Sequence, residues 1–111
     1  MNEDIFDLSK KLGAALLLRK ATVTVAESCT GGGVASAITA IAGSSLWFHC
    51  GYITYANHAK SNILGVPVSL LQAEGAVSES VVRSMVEGAA QCAEADFAVA
   101  ISGIAGPTGG S

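Results

Sequence analysis

Ala21-Thr-Val-Thr-Val-Ala26-Glu27-Ser28-Cys29-Thr30-Gly31-Gly32-Gly33-Val34 is the stretch that decides how this chain is read. Its opening run of Val and Thr suits a strand, because β-branched side chains pack well on a pleated surface. Three glycines break the run, and Val34, Ala37, Ile38 and Ile41 then recur at the spacing of one helix face. Strand, glycine turn and helix together are a unit of layered α/β architecture, in which ligand crevices form where strands end. Ser28 falls at such an edge.

Working outward, Ile5, Leu8, Leu12, Ala15 and Leu16 recur at helical spacing, with Glu3, Asp7, Lys10 and Lys11 on other faces, which predicts an amphipathic opening helix. Downstream, Gly43-Ser44-Ser45 ends the second helix, and the aromatic and β-branched residues of 46–55 predict a second strand finishing at Tyr55. Asn57 is the expected cap of a short helix over 58–64 that Gly65 stops. Ser69 and Gln72 have capping-box spacing for another short helix ended by Gly75.

Ser78 precedes a longer helix whose stripe is Val82, Met85, Val86, Ala89 and Ala93, with Arg83 and Glu87 as an i,i+4 pair outside it. Residues 95–101 are apolar apart from Asp96 and predict a strand covered on both faces. The alternation predicts one domain over residues 1–111, a three-layer α/β/α fold with a largely parallel or mixed sheet. Three strands make a small sheet, and a glycine loop after a buried strand normally leads into another element. The expectation is therefore a domain truncated at its C-terminus.

Composition narrows the partners. A net charge of -3 with six Lys and Arg lacks the clustered cations that displace counterions from nucleic acid, but leaves room for one anionic small molecule. The first 13 residues mix acids, bases and apolar groups, unlike a signal peptide. The longest apolar stretches fall far short of the ~20 residues that span a bilayer. A soluble, cytoplasmic protein with no membrane partner is expected. Cys29, Cys50 and Cys92 are widely spaced and odd in number, which favours reduced thiols, and without a His cluster no structural metal is expected.

Three residues could carry chemistry together. Lys60 falls in the first turn of the helix after Tyr55, where the positive end of the helix dipole and any burial lower its pKa and make a neutral amine available as general base. A serine activated by such a lysine is a known nucleophile, and Ser28 stands at the neighbouring strand end. Each residue has an ordinary alternative: Ser28 or Thr30 as a helix cap, Lys60 as a solvated cation, and Tyr55 as a half-buried strand aromatic. Tyr55 and Lys60 are five apart, which turns a helix by roughly 140°, so the shared-helix Tyr/Lys arrangement of short-chain dehydrogenases does not apply.

Cys29 is the alternative nucleophile, with His49 or His58 as its base. Glu27 could hold Lys60 or a substrate hydroxyl, or complement the dipole of the following helix. The N–H groups at that helix start could hold a phosphate or a developing oxyanion. A second glycine loop, Gly103-Ile-Ala-Gly106-Pro-Thr108-Gly-Gly110, could bind phosphate or ribose, but lacks the Gly-Lys-Ser/Thr end of a P-loop.

Taken in order, Ala26-Glu27-Ser28-Cys29-Thr30-Gly31-Gly32, Gly51-Tyr-Ile-Thr-Tyr55-Ala-Asn57-x-x-Lys60, Gly75-Ala-Val-Ser78 and the Gly103 to Gly110 loop resemble the CinA C-terminal domain family. The resemblance covers the chain from its first helix to its last residue. It implies a three-layer α/β fold and hydrolysis of nicotinamide mononucleotide to nicotinate mononucleotide and ammonia, in pyridine nucleotide salvage, with neither metal nor organic cofactor. It makes Ser28 the nucleophile and Lys60 its base and later acid, and has Tyr55 orient or relay. Thr30, Gly31 and Gly32 would contact the oxyanion or phosphate through backbone, Gly103, Gly106 and Thr108 the nucleotide side, and Asn57 joins the substrate-binding set. Relatives continue past the last glycine loop. Without that portion the sheet is expected to expose an edge and an apolar face, a setting for association into a homo-oligomer. The alternatives are a nucleotide-binding or partner-interaction module without turnover, and an inactive fragment.

Overall fold

Strand β1 (Val23–Glu27) is buried along its whole length, as a central strand with layers on both faces requires. In the computed structural model, which describes residues 1–104, it pairs in parallel with β2 (Tyr52–Ile53) on one side and β3 (Phe97–Ile101) on the other. The order is β2-β1-β3. Successive β1 residues face opposite layers. Val23 and Val25 pack with Leu16 of α1 (Glu3–Arg19), Ile38 of α2 (Gly33–Thr39) and Trp47. Ala26 faces the other way, among Leu64, Val66, Val81, Met85 and Ala89. Those residues come from α3 (Asn57–Leu64), α5 (Glu79–Ala93) and the turn after α3, with α4 (Val68–Glu74) at the periphery. The expected three-layer α/β/α fold is present, with a wholly parallel sheet.

Several local signals act as expected. The Ser78 side chain accepts from the Val81 N–H and starts α5, Gly65 stops α3 at a left-handed φ of 74°, and Gly75 ends α4. Others do not. Only two residues of the expected strand 46–55 join the sheet. Ser44–Leu46 form a 3-10 turn instead, and the Trp47 indole enters the core while its carbonyl accepts the Val23 N–H at 2.8 Å. The aromatic content of that stretch therefore serves packing rather than a ladder.

Asn57 is the first residue of α3, not its cap, and Ala56 takes the cap position without a side-chain hydrogen bond. Ser69 likewise lies inside α4, because Pro67, with φ at -60°, already sets the entry to that helix. The buried stripe of α5 is Val81, Met85, Gly88 and Ala89, with Val82 displaced from it. Arg83 bonds back to Glu79 at 2.6 Å rather than forward to Glu87, the better orientation for an i,i+4 pair because the acid is N-terminal. β3 is not covered on both faces: Phe97 is 45% and Val99 47% exposed. They line an open apolar groove of about 600 Å³ against Ile5, Leu8 and Leu12 of α1.

Gly88 explains the rotation of the α5 stripe. A Cβ there would be driven into the Leu64 carbonyl oxygen at the end of α3, so the two helices meet where one has no side chain. We predict that Gly88→Ala destabilises the domain by roughly 1–3 kcal/mol through overpacking, against the ~1 kcal/mol that alanine normally gains in a helix. Thermal unfolding followed by circular dichroism checks this, and an unchanged or raised midpoint would refute it.

Candidate active site

The site forms where β1 ends. The Ser28 N–H donates to the Ile101 carbonyl at 2.9 Å, and the Thr54 N–H donates to the Glu27 carbonyl at 2.9 Å, so the strand end is fixed from both sides. Gly31 and Gly32 then adopt φ values of 58° and 106°. These left-handed conformations suit glycine and bend the chain into α2 within a few residues. Ser28, itself buried, points toward the α3 layer, and Lys60 comes from the first turn of α3 to meet it.

Lys60 Nζ lies 3.2 Å from Ser28 Oγ and 3.1 Å from the Tyr55 carbonyl oxygen. The side chain is 1% exposed. Burial holds its pKa below the ordinary lysine value. No carboxylate lies within ion-pair distance of it among the described residues. The neutral form, which burial favours, can accept the Ser28 hydroxyl proton while donating to the Tyr55 carbonyl.

Tyr55 contributes differently from expectation. It lies beyond β2, its carbonyl orients Lys60, and its ring is exposed at the mouth of a cavity of about 630 Å³. Its hydroxyl bonds to neither Ser28 nor Lys60 among the described residues. Ser28, Cys29, Asn57, Lys60 and Gly103 line the same cavity. Ser102, Ala76 and Val77 also line it, and the sequence reading missed them. The Ser102 hydroxyl donates to the Ala76 carbonyl at 3.0 Å and joins the β3 end to the loop before α5. The Gly75-Ala-Val-Ser78 motif was the available signal. Gly106 and Thr108 lie outside the described residues.

The glycine turn is not an open anion cradle. Glu27, fully buried, accepts the Thr30 hydroxyl and the Gly32 and Val34 N–H groups on Oε1, and the Ala35 N–H at 2.9 Å on Oε2. Burial alone would raise its pKa, but these hydrogen bonds outweigh it and hold the carboxyl below its ordinary value. The Gly31 N–H donates to the Ser28 carbonyl at 3.1 Å. The Gly31 and Gly32 N–H groups, expected to contact the oxyanion or phosphate, are thus committed inside the turn, as is the Thr30 hydroxyl. The backbone N–H groups of Cys29 and Thr30 have no acceptor among the described residues.

No histidine lines the cavity, and neither His49, half-buried, nor His58, exposed, is placed as a base for Cys29. All three cysteines are free thiols. Among the described residues no three His, Cys, Asp or Glu side chains converge on a metal-sized site, and no helix is long and apolar enough to cross a membrane.

The sequence model of the CinA C-terminal domain matches residues 5–111. This chain belongs to the CinA C-terminal domain family. The nicotinamide-nucleotide amidohydrolase PncC of Escherichia coli (strain K12) is 56% identical over 110 residues, 99% of this chain and 67% of that protein. A Pseudomonas putida protein of the same name is 54% identical over 109 residues, 98% of this chain and 68% of its own length. Among solved structures, the competence/damage inducible protein CihA from Agrobacterium tumefaciens superposes with a TM-score of 0.96 at 44% identity, covering 100% of this chain and 67% of that one. The chain thus spans about two thirds of each relative.

The lowered Lys60 pKa has a thermodynamic signature. Between the folded and unfolded pKa values the unfolded amine binds a proton that the buried one refuses, so stability rises with pH across that window and falls as pH drops through it. Comparing denaturation midpoints of the wild type and Lys60→Met across this range isolates the effect. We expect the difference between the two proteins to shift toward the wild type as pH rises toward the ordinary lysine pKa. A pH-independent difference would contradict the assignment.

Proposed function

We propose that this chain is a Ser/Lys amidohydrolase that converts nicotinamide mononucleotide to nicotinate mononucleotide and ammonia. The observation that carries the chemistry is the buried Lys60 amine, 3.2 Å from Ser28 Oγ and without a carboxylate partner among the described residues. The substrate rests on relatives that are 56% and 54% identical and are named nicotinamide-nucleotide amidohydrolase. In this reading Ser28 Oγ attacks the carboxamide carbon as its proton passes to Lys60 Nζ. The ammonium then returns a proton to the departing nitrogen, and ammonia leaves an acyl ester on Ser28. Water, deprotonated by Lys60, attacks that ester and releases the carboxylic acid.

The backbone N–H groups of Cys29 and Thr30, which have no acceptor among the described residues, suit the oxyanion, since they directly follow the nucleophile. Gly31 and Gly32 shape the turn that presents them. The Tyr55 ring and the Asn57 amide at the cavity mouth suit the pyridine and ribose, and Gly103, with Gly106 and Thr108 beyond it, suits the nucleotide side. The reaction is a hydrolysis and calls for neither metal nor organic cofactor. The reading includes a cytoplasmic location within pyridine nucleotide salvage.

One observation favours a second reading. The β3 face is open at Phe97 and Val99, which suits a nucleotide-binding or partner-interaction module without turnover. Ammonia release from nicotinamide mononucleotide decides between them. We expect turnover by this chain, a rate that rises with pH through a midpoint below an ordinary lysine, and a loss of roughly 10³-fold or more in Ser28→Ala and in Lys60→Met. Calorimetric binding without ammonia supports the module instead, and activity surviving in Ser28→Ala removes Ser28 as nucleophile.

A further inference from the structure

Glu27 and Lys60 are the two charged side chains that are fully buried among the described residues, and the reaction above uses only Lys60. The two do not pair. As consecutive residues at the end of β1, Glu27 and Ser28 face opposite layers, so the carboxylate lies under α2 while the hydroxyl meets Lys60. An ionised carboxylate persists in such a place only when donors surround it. Glu27 has four: the Thr30 hydroxyl and the N–H groups of Gly32, Val34 and Ala35.

These donors lie on both sides of the soft part of the turn. Gly31 and Gly32 have no side chains to restrict them, and their left-handed φ values are one choice among several that glycine allows. The carboxylate ties the residue before Ser28 to the turn and to the first residues of α2, which removes that freedom. What stays fixed is the direction in which Ser28 leaves the strand. On the amidohydrolase reading, we propose that Glu27 is a positioning residue: its carboxylate clamps the turn from Thr30 to Ala35 and thereby holds Ser28 Oγ against Lys60 Nζ. The same clamp fills the start of α2, so an anionic part of the substrate is held elsewhere.

A plain helix cap would affect stability alone, whereas a positioning residue affects the reactivity of Ser28 in molecules that remain folded. The test compares Glu27→Gln, which keeps the shape but replaces one acceptor oxygen with a donor, and Thr30→Val, which removes a single hydrogen bond at an exposed residue. Three quantities are read for each: steady-state constants with nicotinamide mononucleotide, the rate of Ser28 labelling by a fluorophosphonate, and the thermal midpoint.

We expect Glu27→Gln to lower kcat roughly 10- to 100-fold with KM changed by less than about twofold, and to slow labelling by a similar factor. Thr30→Val should shift both rates in the same direction by a smaller factor, at an unchanged midpoint. Wild-type kcat and labelling in folded Glu27→Gln would overturn the proposal. If Glu27→Gln does not fold, wild-type rates in Thr30→Val overturn it equally. A wild-type chain that labels at Ser28 but releases no ammonia defeats the substrate assignment instead, and the labelling comparison still judges Glu27.

Discussion

A lysine side chain carried into a protein interior must find a counter-charge or give up its proton. Lys60 meets a serine hydroxyl and a main-chain carbonyl, and no carboxylate among the described residues. That one contact sets the requirements for the elements around it. β1 has to end where Ser28 faces the α3 layer, the chain after β2 has to return with the Tyr55 carbonyl pointing inward, and α3 has to lie close enough to keep water off the amine. A displacement of α3 away from β1 would hydrate Nζ and remove the burial that lowers its pKa.

The packing that prevents this displacement is remote from the chemistry. α3 is seated by the contact of Leu64 with Gly88 in α5, and α5 in turn rests on β1 and β3 through Val81, Met85 and Ala89. On the other face, a Cβ at Gly13 would be driven into the Trp47 indole, so α1 approaches the core closely at a residue with no side chain. Two glycines inside helices, unfavourable by local propensity, are thus explained by the neighbours they admit. The sheet between these layers transmits the positions: Ser28 is tied to β3 through Ile101, and Glu27 to the chain after β2 through Thr54.

The order of elements and the parallel sheet were legible in the sequence because each depends on short-range signals, and Ser28 and Lys60 could each be placed because one ends a strand and the other opens a helix. A β-branched run, glycine stops, a serine at a strand end and a lysine in a first helical turn can be read without knowing what packs on them. The misreadings share the opposite cause. Trp47 draws its segment out of a strand because its indole fills the core under α1, a long-range demand that the aromatic run itself does not reveal. Val81 replaces Val82 in the α5 stripe because Gly88 must face Leu64. Glu27 could be read as holding Lys60 or as complementing a dipole. Only the alternation of side chains along β1 decides that it faces α2.

That alternation also bears on where a nucleotide can lie. A neutral Lys60 requires that no anion be close, because a nearby negative charge would raise its pKa and undo the effect of burial. Glu27 is adjacent to Ser28 in sequence, yet its charge is turned to the far side of the sheet and spread over four donors. A phosphate presents the same difficulty, and with the start of α2 already occupied, that end of a nucleotide has to be bound away from Ser28. The geometry then separates two tasks along one substrate. On the amidohydrolase reading, the amide end meets the buried Ser28–Lys60 pair, and the anionic end is held away from it.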